Sequence, residues 1–290
     1  MILLNGSLCV SLDFNTIILL YYTLTSRCGI STADFRKEPE MEKPILIQGA
    51  MHQEISLLLE RLGSVEETTH EGFPFWSGVW KEIPVVVSKT YAGKINAALA
   101  TVTGIRTFAP GLVLNQGTAG AHRPDLQVGD IIIGKRYINY DAMRTLQPRR
   151  EGEGYSLKNR RLSGELFDGF GWKNAHEILA REELVGLAVR AADGQDRIMT
   201  GTIATGDGFN READAIRELR GQFGSDCEEM ETFAAAQMCG HYGVLFLGIR
   251  VISNNELQGC PFDADSCTGC QEYVLRAIRA FAKQEPDLLF

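Results

Sequence analysis

Apolar positions along this chain follow two alternating rhythms. Short segments dominated by apolar residues recur at 44–48, 112–114, 130–133, 197–205 and 244–252, the length expected of strands covered on both faces. Between several of them, apolar residues return at helical spacing. In 54–62 these are Ile55, Leu58, Leu59 and Leu62; 93–105 is an Ala-rich helix, and helical patterns follow at 174–191, 211–220, 230–241 and 270–284. Residues 73–80 and 83–88 read as paired strands joined by a turn, and the polar, Gly-rich stretch 144–175 as a long loop or lid. No internal repeat or low-complexity tract interrupts this order. Strands alternating with helices predict an α/β domain with a mostly parallel sheet covered on both faces.

At 290 residues and 44% hydrophobic composition, the chain has material for one large domain with a sizeable core. The expected boundaries are 41–290 for that domain and 1–40 for an N-terminal extension, with Met41 a candidate natural start. The apolar groups of the extension are separated by Asp13 and Asn15 and follow no basic segment, so they read as neither signal peptide nor membrane span. A net charge of −8 leaves no Lys/Arg stripe to neutralise phosphates, which excludes nucleic acid as an expected partner. The densest basic run, Arg149 to Arg161, is interleaved with Glu151 and Glu153 and reads as a solvated loop. Seven scattered cysteines do not make a disulfide framework, and a reducing cytoplasm is the expected location. Cys260, Cys267 and Cys270 lack a fourth ligand nearby and read as loop and helix-start thiols rather than a zinc site.

Four segments place polar groups or glycines where a strand ends or a helix begins. Gly49-Ala-Met-His-Gln-Glu54 puts a carboxylate in a first helical turn, where the helix dipole alone would accommodate it. Asn115-Gln-Gly-Thr-Ala-Gly120 lets the backbone approach a ligand closely. Ala204-Thr-Gly-Asp-Gly-Phe-Asn210 carries an aromatic ring that can stack on a planar base or plug the core. Glu228-Glu-Met-Glu231 opens a small-residue helix with three acids, of which Glu231 precedes apolar residues and needs hydroxyl-like partners if buried.

Taken in order, with Gly-Lys-Ile-Asn-Ala-Ala at 93–98, Val-Gly-Asp at 128–130 and Arg-x-Ile-Ser at 250–253, these segments resemble the nucleoside phosphorylase superfamily. They look most like its hydrolytic branch, the 5'-methylthioadenosine/S-adenosylhomocysteine nucleosidases. The resemblance runs from about Pro44 to the last helix. It implies a twisted mixed sheet flanked by helices, usually a homodimer that completes the 5' pocket across its interface. The implied reaction is hydrolysis of a purine N-glycosidic bond, with a purine nucleoside and water as substrates and neither cofactor nor metal. Carried over motif by motif, Glu54 is the general base toward water, and Met230 and Glu231 hold the ribose, with Glu229 beside them. Thr118, Ala119 and Gly120 line the water and ribose pocket. Phe209 stacks on the base, the backbone of Asn210 reads the purine edge, Met51 sits near the 5' substituent, and Phe262 joins it.

One position departs from the pattern. After Ser253 the family carries an aspartate that protonates purine N7, and here the residue is Asn254. An amide cannot deliver that proton, but it can donate to a 6-oxo group while its carbonyl accepts from N7–H. Purine nucleoside phosphorylases and futalosine hydrolases look similar in carrying Asn here, which moves the expected base toward a 6-oxopurine. Adenine remains the alternative, as do phosphorolysis, for which only Arg106 and Arg123 are plausible recruits, and a non-catalytic nucleoside-binding role.

Overall fold

The computed structural model describes residues 43–154, 157–162, 176–194 and 197–284. The expected extension at 1–40, and residues 163–175 of the expected lid, lie outside them.

The apolar runs form the centre of one large mixed sheet. Strand β1 (Ile45–Gly49) lies parallel between β4 (Ile83–Lys89) and β5 (Leu112–Ala121). Next to β5 comes β12 (Leu245–Asn254), also parallel. Ile45 and Ile47 face one core with Val85, Leu112 and Leu114, whereas Leu46 faces the other with Val86 and Val113. Both faces are apolar because helices cover both, so these strands carry continuous hydrophobic runs.

Beyond β12 the sheet curls. β6 (Ile131–Asn139) pairs antiparallel with β12 and parallel with β10 (Ile198–Thr205), and β10 pairs with the short β11 (Cys227–Glu229). β11 then pairs antiparallel with the far end of β5, closing β5, β12, β6, β10 and β11 into a ring. On the opposite flank, β3 (Phe73–Trp80) pairs antiparallel with β4 as expected and is extended by β2 (Gly63–His70).

Helices α1 (Ser56–Arg61), α3 (Glu182–Arg190) and α6 (Cys267–Gln284) back one face, with Tyr273, Val274, Ile278 and Phe281 of α6 in its core. The Ala-rich α2 (Lys94–Phe108) and α5 (Thr232–Tyr242) back the other. Small residues allow a close fit there: a Cβ on Gly104 would stand 2.6 Å from Leu46 Cδ2. Helix α4 (Ala213–Phe223) packs through Leu219 and Phe223 onto Ile138 and Tyr140.

Three expectations change. The helical pattern at 174–191 divides into an edge strand, β9 (Glu177–Leu179), paired with β6, and α3. The stretch expected as a long loop or lid at 144–175 contains most of a two-stranded hairpin, β7 (Met143–Thr145) with β8 (Arg160–Leu162). β2 was not expected at all, because its sequence GSVEETTH lies on an exposed sheet edge and carries no apolar alternation. Cys267 opens α6 and Cys270 lies in the core, as helix-start thiols, while Cys260 closes a bridge to Asn255. Among the described residues no group of His, Cys, Asp and Glu is arranged to hold a metal, and no helix is long and apolar enough to cross a membrane.

Candidate active site

Polar ends of β1, β5, β11 and β12 meet at one edge of the ring. β1 stops at Gly49, where a Cβ would stand 2.7 Å from Ile55 Cγ2, and a 3-10 turn (His52–Glu54) folds Glu54 back toward the strand end. The Glu54 carboxylate is buried and fully engaged on its protein side. Its Oε2 accepts from the backbone of Ala50 at 2.8 Å and Met51 at 3.0 Å, and its Oε1 from Thr118 N at 2.8 Å and Thr118 Oγ1 at 2.9 Å. Gly117 makes this approach possible, since a Cβ there would lie 2.7 Å from Oε1. The turn is braced from α6: Gln271 Nε2 and Cys267 Sγ donate to Gln53 O at 2.9 and 3.0 Å.

A second buried carboxylate group comes from the β11–α5 junction. Glu229 Oε2 accepts from the backbone of Glu231 at 2.9 Å and Thr232 at 2.8 Å, and Thr205 Oγ1 bonds its Oε1. Arg250, on β12 and 1% exposed, donates to Glu229 Oε2 at 2.5 Å, to Asn115 Oδ1 at 2.5 Å and to Asn115 O at 2.9 Å. Burial opposes the guanidinium charge, but the carboxylates of Glu229, Glu231 and Glu54 more than offset this and hold it above its ordinary range. Glu231 reaches past this pair. Its Oε1 accepts from Gly93 N at 2.9 Å, and its Oε2 stays 4.0 Å from Arg250. Burial, and then the neighbouring Glu229 charge, push the Glu231 carboxyl up to about 8; Arg250 and the Gly93 N–H pull the other way. Met230, half-buried, lies between the two carboxylates in sequence.

At the third corner stands Asn254. It is buried, its Oδ1 accepts from Ser253 Oγ at 3.1 Å, and its Nδ2 has no hydrogen-bond partner among the described residues. Ser253 Oγ also lies 3.2 Å from Ala119 O, so this hydroxyl is placed to orient the amide. Gly120 pairs in register with Asn254, and a Cβ there would come within 3.3 Å of Asn254 Nδ2. Phe209 is 55% exposed on its loop, so it is not a core plug. The backbone N–H of Asn210, expected to read a purine edge, is instead donated to Glu228 Oε1 at 3.0 Å. Phe262 is exposed, beside Asp263, whose N–H donates to Ser253 O at 2.8 Å.

Thr118, Ala119 and Gly120 therefore form the stretch of β5 that leads from Glu54 to Asn254, and Glu231 joins from the β11–α5 junction. Chemically, the arrangement offers two carboxylates and an unfilled amide donor. Met51 is tied in through its backbone bond to Glu54 and a weak contact from Gln53 Nε2 to its sulfur at 3.7 Å. Sequence reasoning gave no role to Arg250 or Gly93, nor to Glu228 with its neighbour His122. The Arg-x-Ile-Ser segment hinted at Arg250, the 93–98 segment at Gly93 and the acid cluster 228–231 at Glu228; nothing local signalled His122.

Residues 44–282 match the family model described as the phosphorylase superfamily. A 5'-methylthioadenosine/S-adenosylhomocysteine nucleosidase of Geobacillus kaustophilus is 34% identical over 222 residues, 75% of this chain and 87% of that protein. Among solved structures, the same kind of nucleosidase from Neisseria meningitidis, in complex with methylthio-immucillin-A, superposes with a TM-score of 0.67. It is 27% identical, and the match covers 82% of this chain and 99% of that one. The futalosine hydrolase of Helicobacter pylori superposes with a TM-score of 0.69 at 27% identity, over 82% and 98% of the two chains.

Proposed function

For a chain that belongs to the phosphorylase superfamily, we propose hydrolysis of the N-glycosidic bond of a purine nucleoside carrying a 6-oxopurine base, of the inosine, guanosine or futalosine type. The observation that carries the reading is Glu54, a buried carboxylate anchored by four hydrogen bonds beside the strand end that bears Thr118. Glu54 takes a proton from water as that water attacks C1' of the ribose. Glu231 accepts from the ribose hydroxyls, and its negative charge favours the oxocarbenium-like transition state. Met230 packs against the sugar, Met51 and Phe262 near the 5' substituent, and Phe209 stacks on the base. Asn254 donates from Nδ2 to O6; the departing base takes its proton at N7 from solvent water, and Oδ1 of Asn254 accepts from that N7–H, so the amide stabilises the leaving base without protonating it.

Hydrolysis is favoured over phosphorolysis by the state of the cations. Arg250 is committed to Glu229 and Asn115, and Arg123 pairs with Asp125 and Asp226. Arg106 is exposed on α2. A phosphate would also meet the Glu54 carboxylate. Burial of both Glu54 and Glu231 argues against a role in binding alone. The adenine reading is supported by the names of the relatives, and Asn254 opposes it. A homodimer is supported by the unpartnered side of α2, where Ile95 is 82% and Leu99 48% exposed next to Tyr91 at 42%.

The test is base release from methylthioadenosine, S-adenosylhomocysteine, adenosine, inosine, guanosine and futalosine, with and without phosphate. Hypoxanthine or guanine release without phosphate is expected. Release of adenine alone overturns the 6-oxopurine assignment, and a strict phosphate requirement overturns hydrolysis.

A further inference from the structure

A recess separate from the catalytic carboxylates lies between helices α1 and α6 and the turn that joins β3 to β4. It encloses about 320 Å3, and none of Glu54, Glu231 and Asn254 lines it. α1 supplies Leu57 and Arg61, one helical turn apart, and the β3–β4 turn supplies Trp80 and Lys81. Positions 272, 276 and 279 share one face of α6, and they bring Glu272, Arg276 and Arg279 to the opposite wall.

The walls are tied to one another. Gln271 Oε1 accepts from Leu57 N at 2.9 Å and from Leu58 N at 3.3 Å, which locks α1 to α6. Tyr273 Oη donates to Ala188 O at 2.6 Å and pins α6 to α3. Trp80 packs on the core, and Lys81 Nζ stands 5.0 Å from the centre of its ring. Small-molecule sites are mostly preformed in this way, and this one is at the small end of their range.

Charge sets the recess apart from the rest of the molecule. The chain is acidic, with 29 Lys and Arg against 37 Asp and Glu, yet four of the five charged side chains around the recess are cations. Glu60 and Glu82, next to it in sequence, are exposed and do not line it. Arg276 has Asp193 at 3.9 Å. Arg61 and Arg279 have neither a hydrogen bond nor an ion pair to a described residue. Cations gathered without acids repel one another, and an anion that joins them relieves this.

Guanidinium groups present forked donors that match phosphate oxygens, and an indole offers a flat apolar face. We propose that this recess binds a small organic phosphate carrying a planar ring, the phosphate on Arg61 and Arg279 and the ring on Trp80. Lys81 swings on its flexible stem from the indole face to the phosphate. Glu272 opposes the anion and limits its affinity.

The experiment is calorimetric titration of the full chain at low salt with phenyl phosphate, inorganic phosphate and phenol, none of which is a nucleoside. Phenyl phosphate is expected to bind about 3–10-fold more tightly than inorganic phosphate, the worth of one aromatic contact, and more tightly than phenol. The double variant Arg61→Gln, Arg279→Gln should lose about 10–100-fold in affinity for phenyl phosphate. Glu272→Gln should gain affinity, a change of opposite sign that damaged structure would not produce. Unchanged binding by the double variant places the anion elsewhere and overturns the site. Absence of phenyl phosphate binding at millimolar concentration does the same. Equal wild-type affinities for the two phosphates overturn the ring on Trp80, and with it the ligand class. Should the double variant not fold, a Glu272→Gln affinity no higher than wild type overturns the site.

Discussion

Arg250 and Glu229 form an ion pair that water scarcely reaches, with Nη2 and Oε2 2.5 Å apart and both side chains at most 2% exposed. The pair joins β12 to β11, residues 21 positions apart, and Asn115 of β5 completes it. It therefore ties three strands of the ring together directly behind Glu231.

Replacing one partner of such a pair leaves a buried charge uncompensated. Arg250→Met is expected to lose about 3–5 kcal/mol of stability. Urea unfolding of the variant and of Arg250→Met with Glu229→Gln checks this, with the double variant recovering part of the loss. A single variant as stable as wild type would mean that water enters behind the site.

Glu54→Gln preserves shape and removes the base. Turnover should fall by about 10²–10⁴-fold, with KM changed far less, because Glu54 acts on water rather than on the nucleoside. Steady-state kinetics on the best substrate of the nucleoside panel measures the split. An effect confined to KM, with turnover unchanged, would move the base elsewhere.

The raised Glu231 carboxyl makes both stability and activity depend on pH. Between its ordinary value of 4.5 and about 8, the folded protein holds a proton that the unfolded chain has released. The contribution of this group to stability therefore falls as pH rises through that window, and the cost is complete above about 8. kcat/KM should rise over the same window as the free enzyme gains the anion that ribose hydroxyls need. Unfolding and kinetics from pH 5 to 9 on wild type and Glu231→Gln test this, and both slopes should flatten in the variant.

Asn254→Asp restores a carboxylic acid next to Ser253. Release of adenine from adenine nucleosides should rise by about 10²–10⁴-fold, the usual worth of general-acid help, while release of hypoxanthine falls. The ratio of the two rates in wild type and variant is the measurement. An unchanged ratio would mean that Asn254 does not contact the base.

Much of the fold was legible because burial on both faces leaves a strong local mark. The runs at 44–48, 112–114 and 244–252 can be read as central strands without any partner in view. β2 and β11 could not: one is a polar edge strand, and the other is three residues long and includes two acids. β9 merges with the helical pattern at 174–191 because three residues are too few for their period to stand out from the helix that follows. For the site, the ordered motifs pointed to Glu54, Glu231 and Asn254, and the structure brings those strand ends and junctions to one edge of the ring.

The sequence by itself determined the family resemblance, the residue types that meet a ligand and the exceptional amide at 254, since each is carried by a short contiguous segment. Tertiary structure decided how those segments face one another. Arg250 reaches Asn115 across 135 residues and Thr118 reaches Glu54 across 64, distances over which no local pattern carries information. The closing of β11 onto β5 alone puts Glu228 beside Gly120, opposite Asn254. Hydrogen bonds act over about 3 Å, so a site assembled from four strand ends takes its chemistry from the pairing of those strands.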